Sequence, residues 1–139
     1  MARAMGLDVG TRTVGIALSD PMYLIAQPQS TLWRTNLEAD LNRLVALIHE
    51  QEVREIIVGL PKHMNNQMSD SARRAKSFGA ELERRGFHVF YQDERRTTIQ
   101  AEEVLKQKGV NKKRWKEKVD AIAASIILQA WLDIHRAHH

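Results

Sequence analysis

The sequence contains no cysteine. That excludes a disulfide scaffold, a thiol nucleophile and any thiolate-ligated zinc or iron–sulfur site. It also suits a reducing compartment. Only three prolines occur, Pro21, Pro28 and Pro61, all between periodic segments. There is no Pro/Gly-rich linker, internal repeat or low-complexity stretch. No apolar run approaches the ~18 residues of a membrane helix. The opening stretch, Met1 to Gly10, lacks a secretory signal's apolar core because Asp8 interrupts it. A Gly-x-x-x-x-Gly-Lys phosphate loop is also missing, which removes that class of NTPase. These absences lead us to expect a soluble cytoplasmic protein without a membrane partner.

What is present is ordinary globular material. The chain has 139 residues, 43% hydrophobic and 27% charged, enough for a single domain over 1–139 with its own core. The net charge of +4 is uneven and concentrates in the second half. Lys106, Lys108, Lys112, Lys113, Arg114, Lys116 and Lys118 face a single acid, Glu117, in the densest stretch. A basic stripe suggests a phosphate-rich partner; a solvated charged loop is the plain alternative.

Three short strands are predicted first: Met5–Val9, Val14–Leu18 and Leu24 to about Leu32. A tight turn at 10–13 and the Asp20-Pro21 dipeptide separate them, as in an antiparallel meander. Asn36 caps a helix carrying Leu37, Leu41, Leu44, Val45 and Ile48. Glu55–Leu60 reads as a buried strand stopped by Pro61. A helix from Ser69 or Asp70 runs to Gly86, and Phe87–Tyr91 forms another strand. A helix from Thr97 or Thr98 to Gly109, a basic loop and a final helix complete the chain. A meander followed by βα units implies a mixed sheet with helices on its faces.

Acidic residues stand out at three places. Asp8 sits among core-type residues in the first strand, where a carboxylate is costly unless paired or bound to a cation. Asp93 and Glu94 follow a strand end, where open α/β sheets place ligands. Asp120 is placed in the first turn of the last helix, where Asp is also favoured by the helix dipole alone. Brought together, such carboxylates repel unless a divalent cation neutralises them. Mg²⁺ and Mn²⁺ are hard ions that take oxygen ligands. Two of them about 3.5–4 Å apart suit phosphodiester cleavage.

The motifs Leu7-Asp8-Val9-Gly10-Thr11, Val14-Gly15-Ile16-Ala17, Ile57-Val58-Gly59-Leu60-Pro61, Asp93-Glu94-Arg95 with Thr97-Thr98, and Lys118-Val119-Asp120-Ala121 occur in that order. Together they span nearly the whole chain, and as a series they are specific. On them the chain resembles the YqgF/RuvX family of small bacterial proteins, known as pre-16S ribosomal RNA nucleases and as Holliday-junction-resolvase-like proteins. The resemblance implies an α/β, RNase H-like fold: a five-stranded mixed sheet, order 3-2-1-4-5, with helices on both faces. It implies that Asp8, Glu94 and Asp120 are the catalytic acids and bind Mg²⁺ or Mn²⁺, with Asp93 and Thr11 supporting them. One departure is the stretch His63-Met64-Asn65-Asn66-Gln67-Met68, which lacks the glycine usual in the family.

Arg12, Arg95, Lys112, Lys113, Arg114 and Lys116 are the candidates for nucleic-acid contact. A charge partner for the neighbouring acids is the alternative for Arg12 and Arg95. Trp115 either stacks on a base or covers an apolar edge, Trp131 belongs to the core, and His135, His138 and His139 form an idle tail. The expected function is metal-dependent hydrolysis of structured nucleic acid, with the 16S ribosomal RNA precursor as substrate and ribosomal particles as partners. The alternatives are a Holliday junction resolvase acting on branched DNA, or a non-catalytic RNA-binding assembly factor. A resolvase requires a symmetric dimer; the sequence leaves monomer or homodimer open. An actin-like ATPase is excluded by length, since its nucleotide lies between two such domains.

Overall fold

A computed structural model of the chain describes residues 2–61, 69–94, 106 and 112–136, with backbone only for Lys112, Lys113, Lys116 and Arg136. Five strands form one sheet: β1 (Arg3–Val9), β2 (Thr13–Ser19), β3 (Ala26–Trp33), β4 (Val53–Pro61) and β5 (His88–Glu94). Their order is β3-β2-β1-β4-β5. β1, β2 and β3 pair antiparallel, and β1, β4 and β5 pair parallel. This is the strand order that the family resemblance implies, and the antiparallel meander is the one read from the turns.

The period of two along each strand divides the core. Met5, Leu7 and Val9 point to one face with their register partners Leu18, Ile16 and Val14. Helices α1 (Leu37–Glu50) and α2 (Asp70–Arg84) cover that face with Leu41, Leu44, Ile48, Ala75, Phe78 and Leu82. Asn36 caps α1 by accepting from the Ala39 N–H at 2.9 Å, and Ser69 caps α2 by accepting from Ala72 at 3.2 Å. The long helix α3 (Lys112–Arg136) covers the opposite face. Its Ala124, Ile127, Leu128, Trp131 and Leu132 pack on Ala4, Ala17 and Ile57. Each fully buried Leu or Ile contributes roughly 1.5–3 kcal/mol through lost water contact.

α3 approaches the sheet closely because two strands present glycine beneath it. A Cβ at Gly6 would lie 2.7 Å from the Ala124 carbonyl oxygen, and one at Gly15 only 1.9 Å from that of Asp120. Among the described residues no helix is long and apolar enough to cross a membrane.

Two of the corrected boundaries bear on the acids. Asp93 and Glu94 do not follow β5; they are its last two residues, paired with Leu60 and Pro61. Backbone pairing with β4 carries this polar end of the strand. The last helix begins at Lys112, so Asp120 lies in its third turn and not its first. Residues 112–118 are mostly strong helix formers and need no apolar stripe to continue a helix anchored further on. Of the expected helix from 97 to 109 only Lys106 is described, and it is helical; the stretch 62–68 lies outside the described residues.

Candidate active site

Parity places the acids. Asp8 follows Ala4 and Gly6 on the α3 face of β1, and its partner across β2 is Gly15. Gly15 in turn meets the backbone of Asp120. Two strands and one helix therefore meet where the side chains of Asp8 and Asp120 arise. On β5, Phe90 packs against Trp131 of α3 with ring centroids 5.6 Å apart. Glu94, four residues on, shares that face. Tyr91 instead lies against Gly79 of α2, so Asp93 has the parity of the α2 face and is exposed. The fold brings Asp8, Glu94 and Asp120 together and leaves Asp93 apart.

These three acids line one cleft of about 310 Å³ at the carboxyl ends of β1, β4 and β5. The turn residues Thr11, Arg12 and Thr13, the strand-end residues Gly59 and Pro61, and Ser71 and Arg74 of α2 complete its wall. Burial raises the Asp8 carboxyl from 3.8 to about 7, and the charges of Glu94 and then Asp120 add to that rise. The charges of both neighbours therefore act on Asp8. Burial also raises Glu94 above its usual range. Its Oε2 is buried without a hydrogen-bond partner among the described residues. That atom occupies space a Cβ at Gly59 would take, 2.5 Å away. Asp120 differs: its Oδ2 accepts a hydrogen bond from the Thr13 hydroxyl at 2.5 Å.

The turn between β1 and β2 is gripped from below. The Arg34 guanidinium donates to the Gly10 carbonyl at 2.8 Å, and the Arg34 N–H donates to the Arg12 carbonyl at 2.8 Å. Buried Asp40 holds Arg34 through its Nε at 3.2 Å. This clamp fixes the segment that carries Arg12 and Thr13.

Three clustered oxygen donors, one of them orphaned in the interior, form a hard-ligand set that fits a divalent cation. As placed, no three ligand side chains among the described residues are close enough to cage an ion.

The remaining candidates are dispersed. Thr11 and Arg12 are exposed and line the cleft. Thr13, and not Thr11, is the threonine that bonds Asp120. Arg114 is exposed on the first turn of α3 and does not line the cleft. Lys112, Lys113 and Lys116 lie on the same helix, described by backbone alone, and Arg95 lies outside the described residues. Trp115 packs beside Val119 and Ala123, and Trp131 is core. His135 belongs to α3 and not to a frayed tail: its ring stacks on Trp131 at 3.8 Å. His138 and His139 lie outside the described residues. Sequence reading missed Ser71 and Arg74, since nothing in a helix rich in arginine marks which one faces a cleft.

A family model described as "RuvX: Holliday junction resolvase" matches residues 2–134. A Lactococcus lactis subsp. cremoris (strain MG1363) protein named "Putative pre-16S rRNA nuclease" is 44% identical over 137 residues, covering 96% of each chain. A protein of the same name from Moorella thermoacetica is 42% identical over 132 residues, covering 94% of each. The structure of T. thermophilus RuvC in complex with a Holliday junction substrate aligns over 99% of this chain and 97% of its own, with TM-score 0.61 and 16% identity. That likeness shows a shared fold. Motif order, sheet topology and near full-length identity coincide: the chain belongs to the RuvX/YqgF family.

Proposed function

We propose that this protein is a divalent-metal-dependent nuclease that hydrolyses phosphodiester bonds in structured RNA in the cytoplasm, processing the precursor of 16S ribosomal RNA. The observation that carries this reading is the cleft where Asp8, Glu94 and Asp120 converge, with Glu94 Oε2 buried and unpartnered among the described residues. The name shared by the curated relatives supports the substrate.

Asp8, Glu94 and Asp120 would hold Mg²⁺ or Mn²⁺. When bound, the ion supplies charge neutralisation and Lewis acidity toward phosphoryl oxygens and water. The chain's own residues do the rest. Thr13 fixes the carboxylate of Asp120 in one orientation. Gly59 leaves the space in which Glu94 turns an oxygen inward. Arg12, on a clamped turn, offers a charged fork to a substrate phosphate at the cleft mouth. The Asp8 carboxyl, raised to about 7 by burial, would be held in its charged form by a cation in the cleft.

The test is incubation of the purified protein with a small-subunit ribosomal RNA precursor and with a synthetic four-way DNA junction, in Mg²⁺, Mn²⁺ or EDTA. Asp8→Asn runs beside the wild type. Metal-dependent cutting of the RNA, lost in the variant, is expected. The description of the matching family model favours a second reading, a junction resolvase. Cutting of the junction alone by a dimeric protein would establish that reading in place of the first.

A further inference from the structure

The cleft has a second wall that the three acids do not use. Asp120 enters it from α3, on one face of the sheet. Ser71 and Arg74 enter it from the first two turns of α2, on the opposite face. They are three residues apart and so share one side of that helix. The neighbouring arginines of α2 are engaged. Arg73 pairs with Asp70 at 3.5 Å, Arg84 bonds Glu81, and Arg85, at the helix end, donates to Asn42 at 3.0 Å. Arg74 alone among them is part-buried in the cleft, and it makes no hydrogen bond or ion pair among the described residues. It shares the cavity with three carboxylates and pairs with none of them.

A guanidinium held in a cleft without a partner is a site awaiting an anion. Its planar fork matches a phosphodiester better than a point charge does. We infer that Arg74, assisted by the Ser71 hydroxyl, binds the substrate phosphate that flanks the scissile one. This inference rests on the nuclease reading. A strand lying across the ends of β1 and β4 places one phosphate against the acids. A neighbouring phosphate then falls against α2. Arg74 is thereby a substrate-binding residue on the wall opposite Asp120.

The experiment measures binding of a labelled RNA duplex with a single-stranded 3′ tail, in Ca²⁺, over a series of salt concentrations. Cleavage of the same RNA is followed in Mg²⁺ and in Mn²⁺. Removing one phosphate contact should lower the dependence of log K on log salt by about one. Arg74→Ala is therefore expected to lose that unit of slope and to raise KM about tenfold, with kcat changed less than threefold. Arg74→Lys should restore the slope but only part of the affinity. Neutralising single phosphates as methylphosphonates should reveal one position that weakens the wild type and leaves Arg74→Ala unaffected. A purely structural role for Arg74 would move the melting temperature and none of these readouts.

An unchanged slope and KM in Arg74→Ala would overturn the inference. If the wild type binds but cuts nothing in either metal, the nuclease reading fails, and the slope comparison still decides Arg74. If the wild type does not bind the RNA at all, both fall.

Discussion

The Thr13 hydroxyl donates to Asp120 Oδ2 at 2.5 Å across 107 positions of sequence. Thr13 opens β2, is buried, and lies two residues before the glycine that admits the Asp120 backbone. A hydrogen bond to a charged acceptor contributes about 1.5–3 kcal/mol. Thr13→Val keeps the shape and removes the donor. We expect kcat to fall about 10- to 100-fold, by the free energy of that bond. Thr13→Ser should retain most of the activity. Single-turnover cleavage at saturating metal checks this. A valine variant as active as the serine variant would show that Asp120 needs no such anchor.

Asp8 couples stability to pH in the unusual direction. Its carboxyl is raised from 3.8 to about 7, by burial first and then by Glu94 and Asp120. Between those values the folded chain holds a proton that the unfolded chain has released. Stability from this group is therefore full below about pH 4, declines as pH rises toward 7, and is lost above that. Asp8→Asn cannot ionise. Without metal it should exceed the wild type at pH 8 by about 1–3 kcal/mol, allowing for part exposure to water, and match it near pH 4. It should also abolish cleavage. Thermal melts at the two pH values test the sign. A variant less stable than the wild type at pH 8 would contradict it.

Removing the divalent ion should expose the same conflict. The wild type should melt several degrees lower in EDTA than in Mg²⁺ at pH 8, because a ligand bound only by the folded state stabilises it. Asp8→Asn should respond much less. Equal shifts in both proteins would place the ion away from Asp8.

Strand-forming segments were legible because β1, β2 and β4 carry apolar side chains in period two or in near-continuous runs. The sheet order followed from the family motifs and agrees with the pairing observed. The end of β5 was not legible. Gln92, Asp93 and Glu94 are polar, and only their backbone pairing with Gly59, Leu60 and Pro61 makes them strand. The start of α3 was hidden for a related reason: its first turns carry charge and almost no apolar period. The choice between Thr11 and Thr13 was available in principle. Thr13 has the parity of Gly15 and Ala17, whereas Thr11 lies before the strand. Arg74 could not be found, because its role depends on where α2 sits beside the cleft.

Gly15 ties the fold to the site. A Cβ there would lie 1.9 Å from the Asp120 carbonyl oxygen and 2.4 Å from its carbonyl carbon. Both are backbone atoms of a packed helix and cannot rotate away. Gly15→Ala must push α3 outward, and overpacking of this kind costs about 3 kcal/mol. The displacement also draws Asp120 from Thr13, so activity should fall further than stability predicts. Gly86→Ala is the comparison. Gly86 has φ +94° but open space around its Cβ. The strain there should cost about 1 kcal/mol and leave kcat unchanged. Urea unfolding with kinetics on both variants tests the distinction. Equal losses of activity in the two would mean that general destabilisation explains them.

Asp40 shows how a buried charge serves the cleft from a distance. Its side chain is 1% exposed. It accepts from the Thr35 N–H at 2.9 Å, Arg34 Nε at 3.2 Å and Arg43 Nη2 at 2.9 Å. Burial alone would push its carboxyl up; the Thr35 N–H and the two guanidinium groups outweigh that and hold it below its usual value. The stabilisation it gives is thus present above about pH 4 and lost as pH falls through the folded value. Asp40→Asn should cost about 2–3 kcal/mol at neutral pH, since it leaves the part-buried Arg34 without its counter-charge, while the half-exposed Arg43 adds little. That loss should narrow in acid, where the wild type also loses the charge. Because Arg34 carries the carbonyls of Gly10 and Arg12, the variant should also free the turn that presents Thr13. Hydrogen exchange at the Arg34 amide, which donates to Arg12, should then accelerate more than exchange in the core of β4. Uniform acceleration across both would reduce Asp40 to a stabilising group with no hold on the active-site turn.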